Sequence, residues 1–247
     1  MADRPLVLLL HGVTQTATSW APVAAQLPPE LEVLAPDAPG HGTASELRLD
    51  LTGAATRLAG LVGDRRALVV GYSMGGRTAL RLALDHPGRV AGLVLLGATA
   101  GIDDPAARAR RRADDEQLAR RIEEDGVAAF LDGWLAQPLF SGLDPAPDDL
   151  AARRSNSAEA LASSLRLAGT GTMDPPWWGE LAAIDVPTRV LWGERDAKFA
   201  ALGARLVEAI GPSATGAAVP GCGHAAHLER PDLVAAEIAT AGSTARW

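Results

Sequence analysis

A chain of 247 residues with 47% hydrophobic side chains can hold one large domain, or a core with an inserted subdomain, and it excludes global disorder. A net charge of −7 argues against nucleic acid or an anionic membrane as the main partner, and the lone cysteine, Cys222, excludes an internal disulfide and a thiolate metal cluster. Only four residues precede the first expected strand, too few for a signal peptide, and no apolar run approaches the ~20 residues of a membrane span, so a cytoplasmic location is expected.

The elements follow in chain order. Residues 5–10 (PLVLLL) form a continuous apolar run that ends in His11-Gly12 and reads as a buried parallel strand. Ser19 is placed to cap a helix that Pro28 and Pro29 stop. A second strand is expected at 31–35, a glycine-rich turn at 37–42 (DAPGHG), and a leucine-spaced helix at 51–62. Residues 67–70 read as a third strand running into Gly71-Tyr72-Ser73-Met74-Gly75-Gly76, with a helix over 77–85 closed by His86-Pro87-Gly88. A fourth apolar strand is expected at 90–96.

The rhythm breaks after Gly101. Residues 102–178 offer helical stretches at 104–126, 127–136 and 148–167, nine arginines and no strand pattern. Strand and helix then alternate again: strands at 188–192 and 215–219, helices near 198–210 and from Pro231. Alternation of this kind implies a mostly parallel sheet covered by helices on both faces. The expected organisation is a core of residues 1–101 and 179–247 with a helical cap inserted at 102–178. Because so little chain precedes the first strand, antiparallel N-terminal strands are expected to be absent or reduced.

Gly71–Gly75 matches the nucleophile elbow G-x-S-x-G, in which a serine occupies a strained turn between strand and helix and needs small residues on either side. Four apolar strand residues before it and an alanine/leucine helix after it give the motif its specificity. A serine hydroxyl needs a base, and the base an orienting carboxylate, in the chain order Ser, Asp or Glu, His. Five histidines compete. His11 suits shaping of the loop after the first strand, His41 lies in the PGHG turn, and His86 suits a helix C-terminus. His227 is placed to start the last helix. His224, flanked by Gly223 after the last strand, is the expected base. Asp196 follows its strand through the turn Gly193-Glu194-Arg195 and is the expected carboxylate; Asp185 lies at the wrong end of that strand, and Glu194 is a lesser competitor. The oxyanion donors are expected to be the backbone N–H groups of Val13 and Met74. Cys222 reads as an inert buried thiol, and Trp177 and Trp178 as packing where the cap ends.

Four segments, GYSMGGRTAL (71–80), WLAQPLFSGL (134–143), RRSN (153–156) and GERDAKF (193–199), resemble a branch of the α/β-hydrolase superfamily, the 2-succinyl-6-hydroxy-2,4-cyclohexadiene-1-carboxylate synthases of menaquinone biosynthesis. The likeness includes the cap, where α/β-hydrolases diverge. It implies a lyase that eliminates pyruvate from a succinyl-enolpyruvyl-hydroxycyclohexene carboxylate, using the triad as a base, with no metal and no organic cofactor. The implied partner is this small polycarboxylate; the chain itself is expected as a monomer or small homo-oligomer. Three carboxylates on the substrate make the arginines interpretable, since guanidinium binds carboxylate bidentately and stays charged when partly buried. Arg77, one helical turn beyond Ser73, can face the pocket. By position in the matching segments, Arg111 and Arg154 correspond to the family's substrate-binding pair, and Tyr72 and Trp134 to pocket residues. Spacing alone leaves Arg110, Arg112 and Arg153 open as alternatives and suits Trp134 equally to cap packing. The rival readings are a serine hydrolase of esters or C–C bonds working through an acyl-enzyme, and a catalytically idle ligand sensor.

Overall fold

The computed structural model describes residues 4–247. Six strands, β1 (Leu6–Leu10), β2 (Glu32–Leu34), β3 (Ala67–Tyr72), β4 (Val90–Leu96), β5 (Thr188–Gly193) and β6 (Ala214–Val219), form one sheet of order β2-β1-β3-β4-β5-β6. Every described strand pairing is parallel. The central strands β1, β3 and β4 are buried along their whole length, as continuous apolar runs demand when helices cover both faces. Their side chains alternate between two cores. Leu6, Leu8 and Leu10 join one cluster and Val7 and Leu9 the other, and β3 divides the same way into Val69 against Leu68, Val70 and Tyr72.

On the first face lie α2 (Leu51–Val62), α3 (Met74–Asp85) and α7 (Ala197–Ile210); on the second, the one-turn helices α1 (Ala21–Ala24) and α8 (Ala226–Glu229) together with α9 (Pro231–Thr244). The expected helix from Ser19 is instead a 3₁₀ turn, Ala17–Trp20, followed by α1, with Pro22 accepted in its first turn. Between β4 and β5 the chain builds a cap from α4 (Pro105–Leu135), α5 (Pro147–Arg154) and α6 (Ala158–Ala168). Gly126 breaks α4 with φ 80°. The single helix expected over 148–167 is two, because Ser157 accepts from Ala160 N–H and caps α6, which turns the chain at 155–157. The cap has its own apolar centre, with Ile122, Phe130, Leu131, Leu161 and Leu165.

Strand order determines where a site can form. After β1 the chain moves to one side of the sheet, and after β3 to the other. Loops leaving the C-terminal ends of these two neighbours therefore diverge and leave a crevice between them. Val13 lies on the first of those loops; Ser73 forms the turn at the second, and Met74 opens α3. No helix among the described residues is long and apolar enough to cross a membrane.

Candidate active site

β3 runs two residues further than its apolar pattern suggests, and α3 begins at Met74 directly after the serine. The reversal is confined to Ser73, whose φ of 52° is a left-handed conformation costly for a residue with a Cβ. Its N–H bonds the Leu96 carbonyl at 2.9 Å, and Arg77 N–H returns to the Ser73 carbonyl at 3.2 Å. Small neighbours are obligatory here: a Cβ on Gly75 would overlap the Leu10 carbonyl, and one on Gly71 the Gly75 carbonyl.

His224 Nδ1 donates to Asp196 Oδ2 at 2.8 Å, which leaves Nε2 to accept the Ser73 hydroxyl at 3.3 Å. Asp196 also caps α7, its Oδ1 accepting Phe199 N–H at 3.1 Å, so the helix holds the carboxylate still. Asp196 and His224 are both buried. Glu194 instead accepts Gly221 N–H at 2.8 Å, and Asp185 pairs with Arg246 at 3.6 Å. The imidazole is packed by Phe199, centroids 4.2 Å apart, and by Tyr72 at 5.2 Å.

Gly12 lets the loop after β1 come close: a Cβ there would sit 2.6 Å from the Tyr72 ring. The Gly12 carbonyl accepts from His11 Nδ1 at 2.8 Å and from Gln15 N–H at 3.3 Å. A trans peptide is planar, so fixing this carbonyl fixes the opposing Val13 N–H and turns it away from those donors; Val13 itself lines the cavity. Ala38 N–H donates to His11 Nε2 at 2.9 Å and so selects the tautomer that carries the Nδ1 proton. His11 is thus a loop anchor. Gln15, which the sequence did not single out, accepts Gly12 N–H at 2.9 Å and contacts His227 Nε2 at 3.1 Å.

Besides His224, three histidines are buried, and burial favours their neutral form. Burial lowers the pKa of His11, lowers that of His227 far more, and brings His41 down to about 3. Rather than opening the last helix, His227 sits in α8 against Tyr72, centroids 4.2 Å apart. A histidine with a native pKa below its unfolded value gains its proton on unfolding, so stability is full above about pH 6.5 and falls as pH drops toward the native pKa. For His41 alone the loss between pH 7 and pH 5 is about 2 kcal/mol. Thermal unfolding should show the midpoint dropping steadily over that interval; a flat profile would contradict the neutral assignment.

Above the triad a cavity of about 290 Å³ separates core from cap, lined by Val13, Tyr72, Ser73, Met74 and His224 below and by Leu118, Trp134 and Phe140 above. Its cationic wall holds Arg77, Arg111 and Arg153. Arg77 is buried and donates to the Ala168 carbonyl at 2.8 Å while its Nε has no partner. Burial, with Arg111 adding repulsion, brings it down to about 10, still charged at neutral pH. Arg111 binds Asp115 at 2.9 Å, whose carboxyl burial pushes upward in spite of that pairing. Arg110 is exposed, and Arg112 turns away from the cavity to donate to the Gly171 carbonyl at 2.9 Å.

One expected residue is displaced. Arg154 does not reach the cavity; it is exposed and pairs with Asp132 at 3.3 Å, and the arginine on the inner side is Arg153. The reason lies in α5, where Arg153 falls one turn after the inward-facing Asp149 and binds it at 2.6 Å. Trp134 lines the cavity and stacks on Phe130 at 5.7 Å, so it also serves the cap. Cys222 is buried, its thiol pushed up to about 11 by burial. Trp177 packs in the core and Trp178 lies under Arg205.

The profile of the alpha/beta hydrolase family matches residues 7–237. The chain is 32% identical over 243 residues to the 2-succinyl-6-hydroxy-2,4-cyclohexadiene-1-carboxylate synthase of Enterobacter sp. strain 638, covering 95% of this chain and 90% of that one. Its fold is similar to that of MenH from S. aureus, with a TM-score of 0.89, 28% identity and coverage of 96% and 93%. A malate-bound thermophilic esterase from Thermogutta terrifontis follows at TM-score 0.80, 26% identity and coverage of 95% and 88%.

Proposed function

From the premise that this chain belongs to the α/β-hydrolase family and, within it, to the 2-succinyl-6-hydroxy-2,4-cyclohexadiene-1-carboxylate synthases, we propose that it is a menaquinone-biosynthesis lyase releasing pyruvate from a succinyl-enolpyruvyl-hydroxycyclohexene carboxylate. The observation that carries this reading is the joining of a complete Ser73–His224–Asp196 relay to a cavity walled by three arginines, which suits a substrate with three carboxylates.

In the proposed reaction His224 takes the Ser73 proton, and the alkoxide removes the ring proton α to the succinyl ketone. The electron pair first becomes an enolate, whose oxygen Val13 and Met74 N–H groups stabilise; it then returns through the ring to break the C–O bond to the enolpyruvyl group. The departing enolate of pyruvate takes at carbon a proton matched by the one His224 gives up, so the relay returns to its starting state and the proton count closes. Arg77, Arg111 and Arg153 hold the carboxylates, and Tyr72 and Trp134 shape the walls. A net charge of −7 and a single buried cysteine support a small-molecule substrate and a cytoplasmic setting.

The same relay could acylate Ser73, and the intact elbow keeps a serine-hydrolase reading in play. Turnover of the enolpyruvyl substrate should yield stoichiometric pyruvate while the Ser73 peptide keeps its unmodified mass. No pyruvate, with a trapped acyl-serine from a slow ester, would replace the lyase by a hydrolase.

A further inference from the structure

Beyond Ser73, a second residue that is not glycine adopts left-handed backbone among the described residues: Thr14, at φ 69°. A β-branched side chain disfavours this conformation, so neighbouring groups must hold it there. Thr14 is buried and follows Val13 directly. Both of its holders come from the cap. Arg153 Nη1 donates to Thr14 Oγ1 at 3.1 Å, and Asn156 Nδ2 donates to the Thr14 carbonyl at 3.0 Å. Asn156 is itself fixed, its Oδ1 accepting Gly42 N–H at 2.8 Å.

Arg153 is buried, with 2% of the residue exposed, and each guanidinium nitrogen has a different fate. Nε binds Asp149 at 2.6 Å, Nη1 binds Thr14, and Nη2 has no protein partner in a side chain that lines the cavity. A guanidinium is rigid and planar, so its nitrogens move together. An anion drawn to Nη2 therefore settles the same group that grips Thr14.

We propose that Arg153 is a positioning residue for the oxyanion loop: by holding the Thr14 hydroxyl it keeps the backbone left-handed and the preceding Val13 N–H aimed at the developing enolate, so that a substrate carboxylate seated on Arg153 tightens the hole it will need. The inference rests on the lyase reading for its substrate, but not for its geometry. Releasing Thr14 lets its φ relax toward negative values, which shifts the Gln15 N–H that holds the Gly12 carbonyl at 3.3 Å and so frees the Gly12–Val13 peptide that carries the donor.

Thr14→Val tests the link, because valine keeps the β-branch and the backbone strain and removes only the hydroxyl. The expected result is a kcat about tenfold lower with KM changed less than threefold, a parallel fall in the rate at which a fluorophosphonate labels Ser73, and recovery of both by Thr14→Ser. Wild-type kcat and labelling in Thr14→Val would overturn the proposal, as would an equal loss in Thr14→Ser. Should Thr14→Val fail to fold, Arg153→Lys keeps the charge and loses the simultaneous grip on Asp149 and Thr14; labelling at the wild-type rate would then overturn it. Absence of pyruvate release by the unmodified enzyme would count against the lyase reading alone, and the labelling rates of the same variants would still decide the Thr14 link.

Discussion

Ser73→Ala should lower kcat/KM for pyruvate release by at least about 10³-fold while leaving the fold and its thermal midpoint close to those of the parent. A positioned base contributes 10²–10⁴-fold, and here the serine is both the base and the group aligned with the oxyanion donors. Alanine removes the hydroxyl that faces His224 Nε2 at 3.3 Å and puts no proton-accepting group in its place. Stability should barely change, because the left-handed strain at φ 52° is set by the backbone of the elbow and alanine bears it as serine does. Steady-state assays with the enolpyruvyl substrate decide the matter. Pyruvate release at the parental rate would remove Ser73 from the chemistry and leave His224 as the direct base.

Arg77→Met should separate activity from stability in opposite directions. Truncating one partner of a buried charge pair costs 2–5 kcal/mol of binding, equivalent to about 30- to several-thousand-fold in kcat/KM, when the partner carboxylate is left unpaired. Arg77 is placed to pair with a substrate carboxylate: it is buried, lines the cavity, donates once to the Ala168 carbonyl, and has an Nε without a partner. In the empty site the same charge is a burden, because burial and Arg111 both work against it. Methionine keeps much of the stem volume and relieves that burden, so the thermal midpoint should hold or rise. Most of the kinetic loss should appear in KM, since a carboxylate remote from the reacting carbon is bound alike in ground and transition states. A variant with parental KM would show that no substrate carboxylate reaches Arg77.

The sheet was legible because the apolar runs are continuous: strands buried on both faces exclude polar residues, and β1 and β4 have none while β3 has only the hydroxyl of its last residue, Tyr72. The elbow was legible for a steric reason, since overlap with the Leu10 and Gly75 carbonyls leaves glycine as the residue that fits at 75 and 71. The family and its lyase activity were legible from the cap segments, and the relatives and the S. aureus structure bear that reading out. His224 and Asp196 followed from chain order and strand polarity, and the structure brings both to Ser73.

What stayed hidden depended on which way a helix faces. In RRSN the residues Arg153 and Arg154 are identical letters about 100° apart on α5, and only the packing of that helix against the loop after β1 puts Arg153 inside. Gln15, Phe140 and Phe199 gather at the site from three distant parts of the chain; Phe140 and Phe199 fall within the segments that carry the resemblance, but nothing in their spacing marks them as cavity residues. The sequence by itself determined the strands, the elbow and the order of the relay, because these follow from local sterics and from which residues tolerate burial. The tertiary structure alone decided which cationic side chains meet the cavity and that the cap holds Thr14, because both depend on contacts between segments more than a hundred residues apart.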